Sequence, residues 1–398
     1  MARQRTLIAY LCNAIDESTR LQRHIVTDSP AATNKVLGVA DAIRLVGLSC
    51  LVLSLGRGRQ NGSRHWYSAR TRRDKGVALI YCPFLHFPFL THFVTALGLL
   101  TVVIRLAIRH PDMILLSYNR AYHYVPALMV ARLLGVRSCL DLEDGFILEG
   151  RGRLRRLKNS FTRKLFACLC PDGAMVANSN LAHQLDKAPA LVCHGVASRV
   201  NSLRPDWEHN RLHILFCGTL LEEVGCKLLI DAIDILKRQH PEMAQQLHFV
   251  VTGKGPCVAI FREMAYREPE WLSFSESLPR AKYVEAICNS HVGLSLRLAK
   301  YEMGATTFPS KVIEYAEYGL LVFSTRVGDV QLLFGDDALY LDEETPTELA
   351  KMLVALPAKR IALRDTAFRG QEKVLSNCSP YTIGREIRLK LFKIGYGH

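Results

Sequence analysis

Lys311 and Glu314 stand one helical turn apart in Phe308-Pro309-Ser310-Lys311-Val312-Ile313-Glu314-Tyr315-Ala316-Glu317-Tyr318-Gly319. At that spacing a cation and a carboxylate share one face of a helix. Pro309 and Ser310 are residue types that open helices, and Gly319 is one that closes them. The free N–H groups of such an opening attract an anion, and Lys311 adds a full positive charge there. Behind a phosphate held in this way, the Glu314 carboxylate can accept from both hydroxyls of a ribose. An ordinary capped amphipathic helix with an internal ion pair has the same spacing, so spacing alone leaves both readings open.

A helix of this kind needs a sheet to hold it, and the chain supplies the pattern for two. In the first half Thr6–Cys12, Ser49–Leu55, Val77–Cys82, Met113–Ser117, Ser138–Leu142, Gly173–Ala177 and Ala190–Cys193 read as strands. Helical runs lie between several of them, at Asn34–Val46, about Thr91–Ile108 and Val125–Leu134. The alternation restarts at His213–Cys217 and continues through His248–Thr252, Leu272–Phe274 and His291–Leu296 to the helix carrying Lys311. Strands alternating with helices predict parallel sheets covered on both faces. Residues 1–205 are therefore expected to form one Rossmann-like domain and 206–375 a second, joined through the polar run Ser198–Asn210. Residues 376–398 are expected to form a helix that packs back on the first domain. Two such domains facing each other would enclose a cleft at the C-terminal ends of their strands.

Phe308-Pro309-Ser310-Lys311, Glu314-Tyr315, Gly319 and Val322-Phe323-Ser324-Thr325 together resemble the nucleotide-sugar signature of GT-B glycosyltransferases. The likeness is to the large retaining family 4, also called group 1, and within it to a branch with the Phe-Pro-Ser-Lys pattern. The order of further motifs extends it. Ile214 to Leu220 through Gly225, Val250 to Pro256 and Gly293 to Arg297 are similar to the strands and turns of that family's second domain. Gly218, Thr219, Gly253, Ser310, Lys311 and Glu314 are then the implied nucleotide-sugar contacts, Glu314 on the ribose. Thr306 stands where the family carries another glutamate, eight positions before Glu314. In the first half the likeness is looser, with Ala31-Ala32-Thr33-Asn34-Lys35 in the place of a glycine-rich loop.

The resemblance implies a sugar transferred with retention from a nucleotide-sugar donor to a saccharide acceptor, with no metal or other cofactor. Without a metal, Arg, Lys and helix N-termini must neutralise the departing diphosphate. The family's loop cations are replaced here by Thr219 and Val224, so Arg297, Lys300 and Lys311 are the candidates to take over. Asp141, Glu143 and Asp144 form an acidic cluster at a strand end in the first half. An inverting reaction would use one of them as general base, whereas a retaining one, as the resemblance implies, would use them to orient acceptor or donor hydroxyls; Glu143 and Asp144 are the two site candidates. His194-Gly195 reads as a turn, and His123 as a packed or cleft-lining residue.

Composition sets the limits. The 398 residues carry 51 Lys and Arg against 37 Asp and Glu. Residues 1–205 hold 28 basic and 12 acidic side chains, the remainder 23 and 25, so the first domain is the one suited to an anionic partner. Arg151, Arg153, Arg155, Arg156, Lys158, Arg163 and Lys164 follow one another with no acid among them, and Leu154, Leu157, Phe161 and Leu165 recur at helical spacing. Such a helix can lie on an anionic bilayer or pack its stripe inward. A lipid-linked acceptor, as in surface polysaccharide or lipopolysaccharide assembly, would be met at the cytoplasmic membrane face. The N-terminal apolar run is short and reads as a buried strand rather than a signal peptide. Prolines and histidines in Gly76–Ile104 favour a strand, turn and helix over a membrane span. Scattered cysteines without zinc spacing suit reduced buried thiols. No Gly-x-Gly-x-x-Gly follows the first strand, which counts against a nicotinamide enzyme, and no nucleic-acid motif is present. A GT-B sugar-nucleotide epimerase is the rival enzyme reading.

Overall fold

The computed structural model describes residues 5–57, 59–60, 66–87, 90–145, 152–185, 189–197, 204–208, 211–301, 304 and 306–395. The chain divides into two units, Met1–Val196 with Cys378–His398, and Ala197–Asn377. The division falls just ahead of the polar run 198–210, much of which lies outside the described residues.

In the first unit the elements are β1 (Leu7–Cys12), α1 (Pro30–Leu45), β2 (Ser49–Ser54), β3 (Arg70–Asp74), β4 (Val77–Tyr81) and α2 (Leu90–Arg109). They are followed by β5 (Ile114–Tyr118), α3 (Val125–Leu133), β6 (Arg137–Leu142), α4 (Arg153–Leu169), β7 (Ala174–Val176) and β8 (Ala190–Val192). Spatially the sheet runs β8-β7-β6-β5-β1-β2-β4-β3. Every pairing is parallel except that of β3 with β4, which is antiparallel and closes one edge. Ile8 through Cys12 are wholly buried, the signature of a strand covered on both faces. Ser29 caps α1 by accepting from the Ala32 amide at 3.3 Å, with Pro30 in the first turn. Ala31–Lys35, which stand in the place of a glycine-rich loop, are therefore the opening turns of α1, which starts at Pro30 rather than at the predicted Asn34. Proline at the first position has no amide to waste and its φ is preset for the helix.

The 20-residue α2 is long and apolar enough to cross a membrane. Its buried stripe of Thr95, Leu99, Val103 and Ala107 recurs every four residues, and α2 packs along α3.

The second unit holds β9 (Leu212–Thr219), α5 (Cys226–Gln239), β10 (Leu247–Lys254), α6 (Val258–Arg267), β11 (Leu272–Ser275), α7 (Arg280–Cys288) and β12 (Val292–Ser295). Then come α8 (Lys311–Glu317), β13 (Leu321–Thr325), β14 (Leu339–Leu341), α9 (Pro346–Val354) and α10 (Arg360–Asn377). Its six-stranded sheet, in the order β11-β10-β9-β12-β13-β14, is parallel throughout. The core gathers Phe216, Phe249, Leu294 and Phe323 from the strands with Leu229 and Ile233 from α5.

After α10 the chain returns to the first unit as α11 (Pro380–Glu386), capped by Ser379. Helix α11 lies against α1, and Ile383, Ile387, Leu391 and Phe392 enter the first unit's core. The two helices approach so closely that a Cβ on Gly384 would sit 2.2 Å from the Ala42 carbonyl oxygen. Backbone cannot yield as a flexible side chain can. Gly384→Ala should therefore lower stability by about 1–3 kcal/mol, read as a lower urea midpoint. An unchanged midpoint would show that α11 is not seated on α1.

Candidate active site

In both units the chain reverses its direction of travel across the sheet next to a central strand. Loops at such points are where open parallel sheets hold ligands. In the second unit the point lies between β9 and β12. Gly218 and Thr219 end β9, opposite Gly253 and Lys254 of β10. The Lys311 side chain passes Gly218, whose added Cβ would lie 3.8 Å from Lys311 Cε.

Helix α8 has only seven residues. Ser310 is already helical, at φ −51° and ψ −20°, and its hydroxyl makes no capping bond. The full charge of Lys311 thus outweighs the roughly half charge of a helix end. Lys311 Nζ donates to Glu314 Oε2 at 2.9 Å and to the Tyr283 hydroxyl at 2.6 Å. Tyr283 in turn donates to Glu314 Oε2 at 2.8 Å, and Arg280 Nη1 reaches Glu314 Oε1 at 3.0 Å. Both carboxylate oxygens are engaged.

Burial alone would raise the pKa of Glu314, but Lys311, Tyr283 and Arg280 outweigh it and hold the carboxyl below its ordinary value. Burial likewise opposes the charge on Lys311, yet Cys217 and Glu314 beside it raise its pKa. Burial, with Cys217 and Glu314, drives the Tyr283 phenol far up, so it remains a donor. Cys217 Sγ lies 3.3 Å from the Tyr283 hydroxyl and 3.2 Å from that of Tyr315. Arg280 and Tyr283 escaped the sequence reading. Their only signal was the three-residue spacing at the start of α7, and what they meet lies 28 residues or more away along the chain.

Other predicted residues are spread along the same strand ends. Arg297 follows β12, partly buried, and its carbonyl accepts from the Thr325 hydroxyl. Lys300 is exposed, with its ammonium 5.1 Å from the centre of the Tyr301 ring. Lys254, exposed opposite Thr219, is a further cation at the end of β10 that sequence reasoning passed over. Thr306 is buried. Among the described residues no group of three His, Cys, Asp or Glu side chains is arranged to hold a metal ion.

Glu143 and Asp144 belong to the first unit, at the end of β6. Asp141 on that strand is fully buried. It accepts from Tyr10 and from Lys35 Nζ, the latter at 3.1 Å, and Lys35 also pairs with Glu143. Burial and the adjacent carboxylate push the Tyr10 phenol well up, so it keeps its proton and donates it in the hydrogen bond to Asp141. Asn119, left-handed at φ 55°, receives the Glu143 and Asp144 amides on its side-chain oxygen at 2.8 and 3.3 Å. Its amide donates to Asp144 at 3.2 Å. Asp141 is thus sealed beneath a cation and a phenol, while Asp144 is exposed.

Comparison with known proteins places these features. Residues 211–358 match the family model described as glycosyl transferases group 1, so the second unit carries a glycosyltransferase group 1 domain and the chain is a transferase. One component of the phosphatidylinositol N-acetylglucosaminyltransferase of Arabidopsis thaliana is 22% identical over 330 residues, 80% of this chain and 69% of that one. Anabaena HepE in complex with UDP superposes with a TM-score of 0.67 at 13% identity, covering 98% of this chain and 100% of that one. Sucrose-phosphate synthase from Thermosynechococcus elongatus gives 0.66 at 11%, covering 96% and 97%. The fold is GT-B, built of two Rossmann-like domains.

Because its pKa is depressed in the folded chain, Glu314 contributes stability that is present above about pH 4.5, the ordinary value, and lost as pH falls through its lower folded value. Glu314→Gln should flatten the acid limb of a stability-versus-pH curve in that range. An unchanged limb would mean that the carboxylate is not held by its three donors.

Proposed function

We propose that the chain is a retaining, metal-independent hexosyltransferase of the family 4 type. It would move a sugar from a nucleotide-sugar donor to a saccharide acceptor carried on a lipid. The Lys311–Glu314–Tyr283 cluster carries this reading. The ribose hydroxyls of the donor take the place of Arg280 on Glu314 Oε1, the Arg280 side chain being 58% exposed and able to swing out. Tyr283 and Lys311 keep Glu314 ionised, as a double acceptor must be. Lys311, Arg297 and Lys254 then face the diphosphate, whose charge grows as the sugar leaves. Asp144 is the exposed carboxylate left to orient a hydroxyl in the first unit. The likeness to a protein named for transfer to phosphatidylinositol supports a lipid-borne acceptor, and the UDP bound by HepE makes UDP the first nucleotide to test.

Helix α4 supports work at a membrane. Its buried face is Asn159, Thr162, Phe166 and Leu169, whereas Leu154, Leu157 and Phe161 are 84%, 67% and 63% exposed. Arg153, Arg155, Arg156, Lys158 and Lys164 flank that stripe, exposed; Arg151, counted with them in the sequence, lies outside the described residues. Helix α3 packs between α4 and α2 and adds exposed Met129 and Leu133, while α2 adds Phe93 and Leu97. Apolar stripes flanked by cations fit an anionic bilayer surface. This surface would set the enzyme peripherally on the inner face of the cell membrane.

UDP-sugars should raise the melting temperature, as any ligand of the folded state does, and Glu314→Gln should weaken donor binding by about 1.5–3 kcal/mol. If UDP-, GDP- and ADP-sugars all leave the melting temperature unmoved, the donor site is misassigned. Sugar-nucleotide turnover with no acceptor present would favour the epimerase.

Sedimentation with vesicles should increase with anionic lipid, fall with salt, and drop sharply for Leu157→Gln with Phe161→Gln. Equal sedimentation with neutral and anionic vesicles would remove the membrane role.

A further inference from the structure

Three side chains of the first unit, none of them used above, converge at the C-terminal edge of its sheet. Arg57 follows β2, His92 lies in the first turn of α2, and His123 lies in the short 3-10 turn Tyr122–Tyr124 between β5 and α3. The strands involved flank β1, where this sheet reverses its order and where parallel sheets place ligands. Arg57 Nη1 donates to His92 Nδ1 at 3.0 Å, and His123 Nε2 meets that same nitrogen. Since Arg57 can only donate, His92 Nδ1 is the acceptor. His123 must then carry its proton on Nε2, and His92 on its own Nε2. Two donors therefore point at one acceptor position, and a third N–H stands beside them.

The loop presenting Arg57 is fixed by a buried arginine. Arg23, 1% exposed, donates to the carbonyls of Gly56 at 2.9 Å, Cys82 at 3.0 Å and Ser68 at 3.0 Å. Gly56 is left-handed at φ +57°, and a Cβ there would lie 2.6 Å from the Arg23 guanidinium. Only glycine allows the chain to pass so close and turn Arg57 outward. Burying a guanidinium to hold three carbonyls is costly and exceeds what an idle surface loop requires. Its outcome is a preorganised Arg57.

We propose that Arg57, His92 and His123 bind the headgroup phosphate of a phospholipid-linked acceptor. An anionic oxygen suits the point that His92 Nδ1 now fills, because Arg57 and His123 already converge there and His92, exposed, is free to rotate and donate in its turn. Burial, together with the nearby Arg57 and His92, holds His123 at about 4, so near neutral pH it offers an uncharged N–H and Arg57 supplies the positive charge. The lipid portion follows from the neighbours. Phe87, Leu90 and Phe93 are exposed around His92, and Leu97 continues their line along α2. A phosphate on the cluster would leave acyl or prenyl chains lying on that apolar face. This assignment rests on the reading of the first unit as the acceptor domain.

The test is calorimetric titration of the full chain with dihexanoylphosphatidic acid below its micelle-forming concentration, with inorganic phosphate and glycerol 3-phosphate in parallel. The short-chain lipid should bind, and glycerol 3-phosphate should bind at least about tenfold more weakly for want of the chains. Arg57→Gln and His123→Gln should each weaken the lipid by about tenfold or more, and Arg57→Lys less. Circular dichroism and the melting shift caused by UDP should be unchanged in all three variants. No lipid binding, equal binding by wild type and both Gln variants, or equal affinity for lipid and inorganic phosphate would each overturn the proposal. Because the UDP shift reports the second unit alone, its survival alongside any of those results would sink the phosphate site while leaving the transferase reading intact.

Discussion

A carboxylate drawn out of water must be met by donors, and both units meet that demand beside a central strand, each with a lysine and a tyrosine. In the second unit Glu314 is held by Lys311, Tyr283 and Arg280. In the first, Asp141 is held by Lys35 and Tyr10. Removing one partner of such a buried pair leaves an uncompensated charge and costs far more than the pair contributes. The two clusters differ in what remains open. Asp141 is sealed, so it braces β1, β6 and α1. Glu314 has one oxygen on an exposed arginine, so a ligand can exchange for it. The first arrangement is structural and the second is suited to binding.

The alternation of strands and helices was legible because parallel strands buried on both faces read as continuous apolar runs, as Leu7–Cys12 does. Most predicted segments differ from the observed ones by a residue or two at their ends. What escaped was made of polar residues or fixed by distant partners. Arg70–Asp74 was not among the predicted strands, yet it pairs antiparallel with Val77–Tyr81, and its largely exposed side chains have no reason to be apolar. Ala31–Lys35 occupies the place of a glycine-rich loop by resemblance alone, whereas the local chemistry of Ser29-Pro30, a cap followed by a preset φ, decides for a helix.

The site divides along the same line. Lys311 and Glu314 were legible because they are three apart on one helix and need no other element to meet. Arg280, Tyr283 and Lys35 were not, because their partners lie 28 residues or more away along the chain. For α4, periodicity showed a stripe but not its direction. The structure turns Leu154, Leu157 and Phe161 outward because Asn159, Thr162, Phe166 and Leu169 occupy the inner face.

The most direct measurement of the central claim is a crystal structure of the chain soaked with UDP. The account predicts the ribose hydroxyls on Glu314 with Arg280 displaced, and the diphosphate against Lys311. UDP bound with Glu314 still closed by Arg280, or bound away from α8, would contradict it.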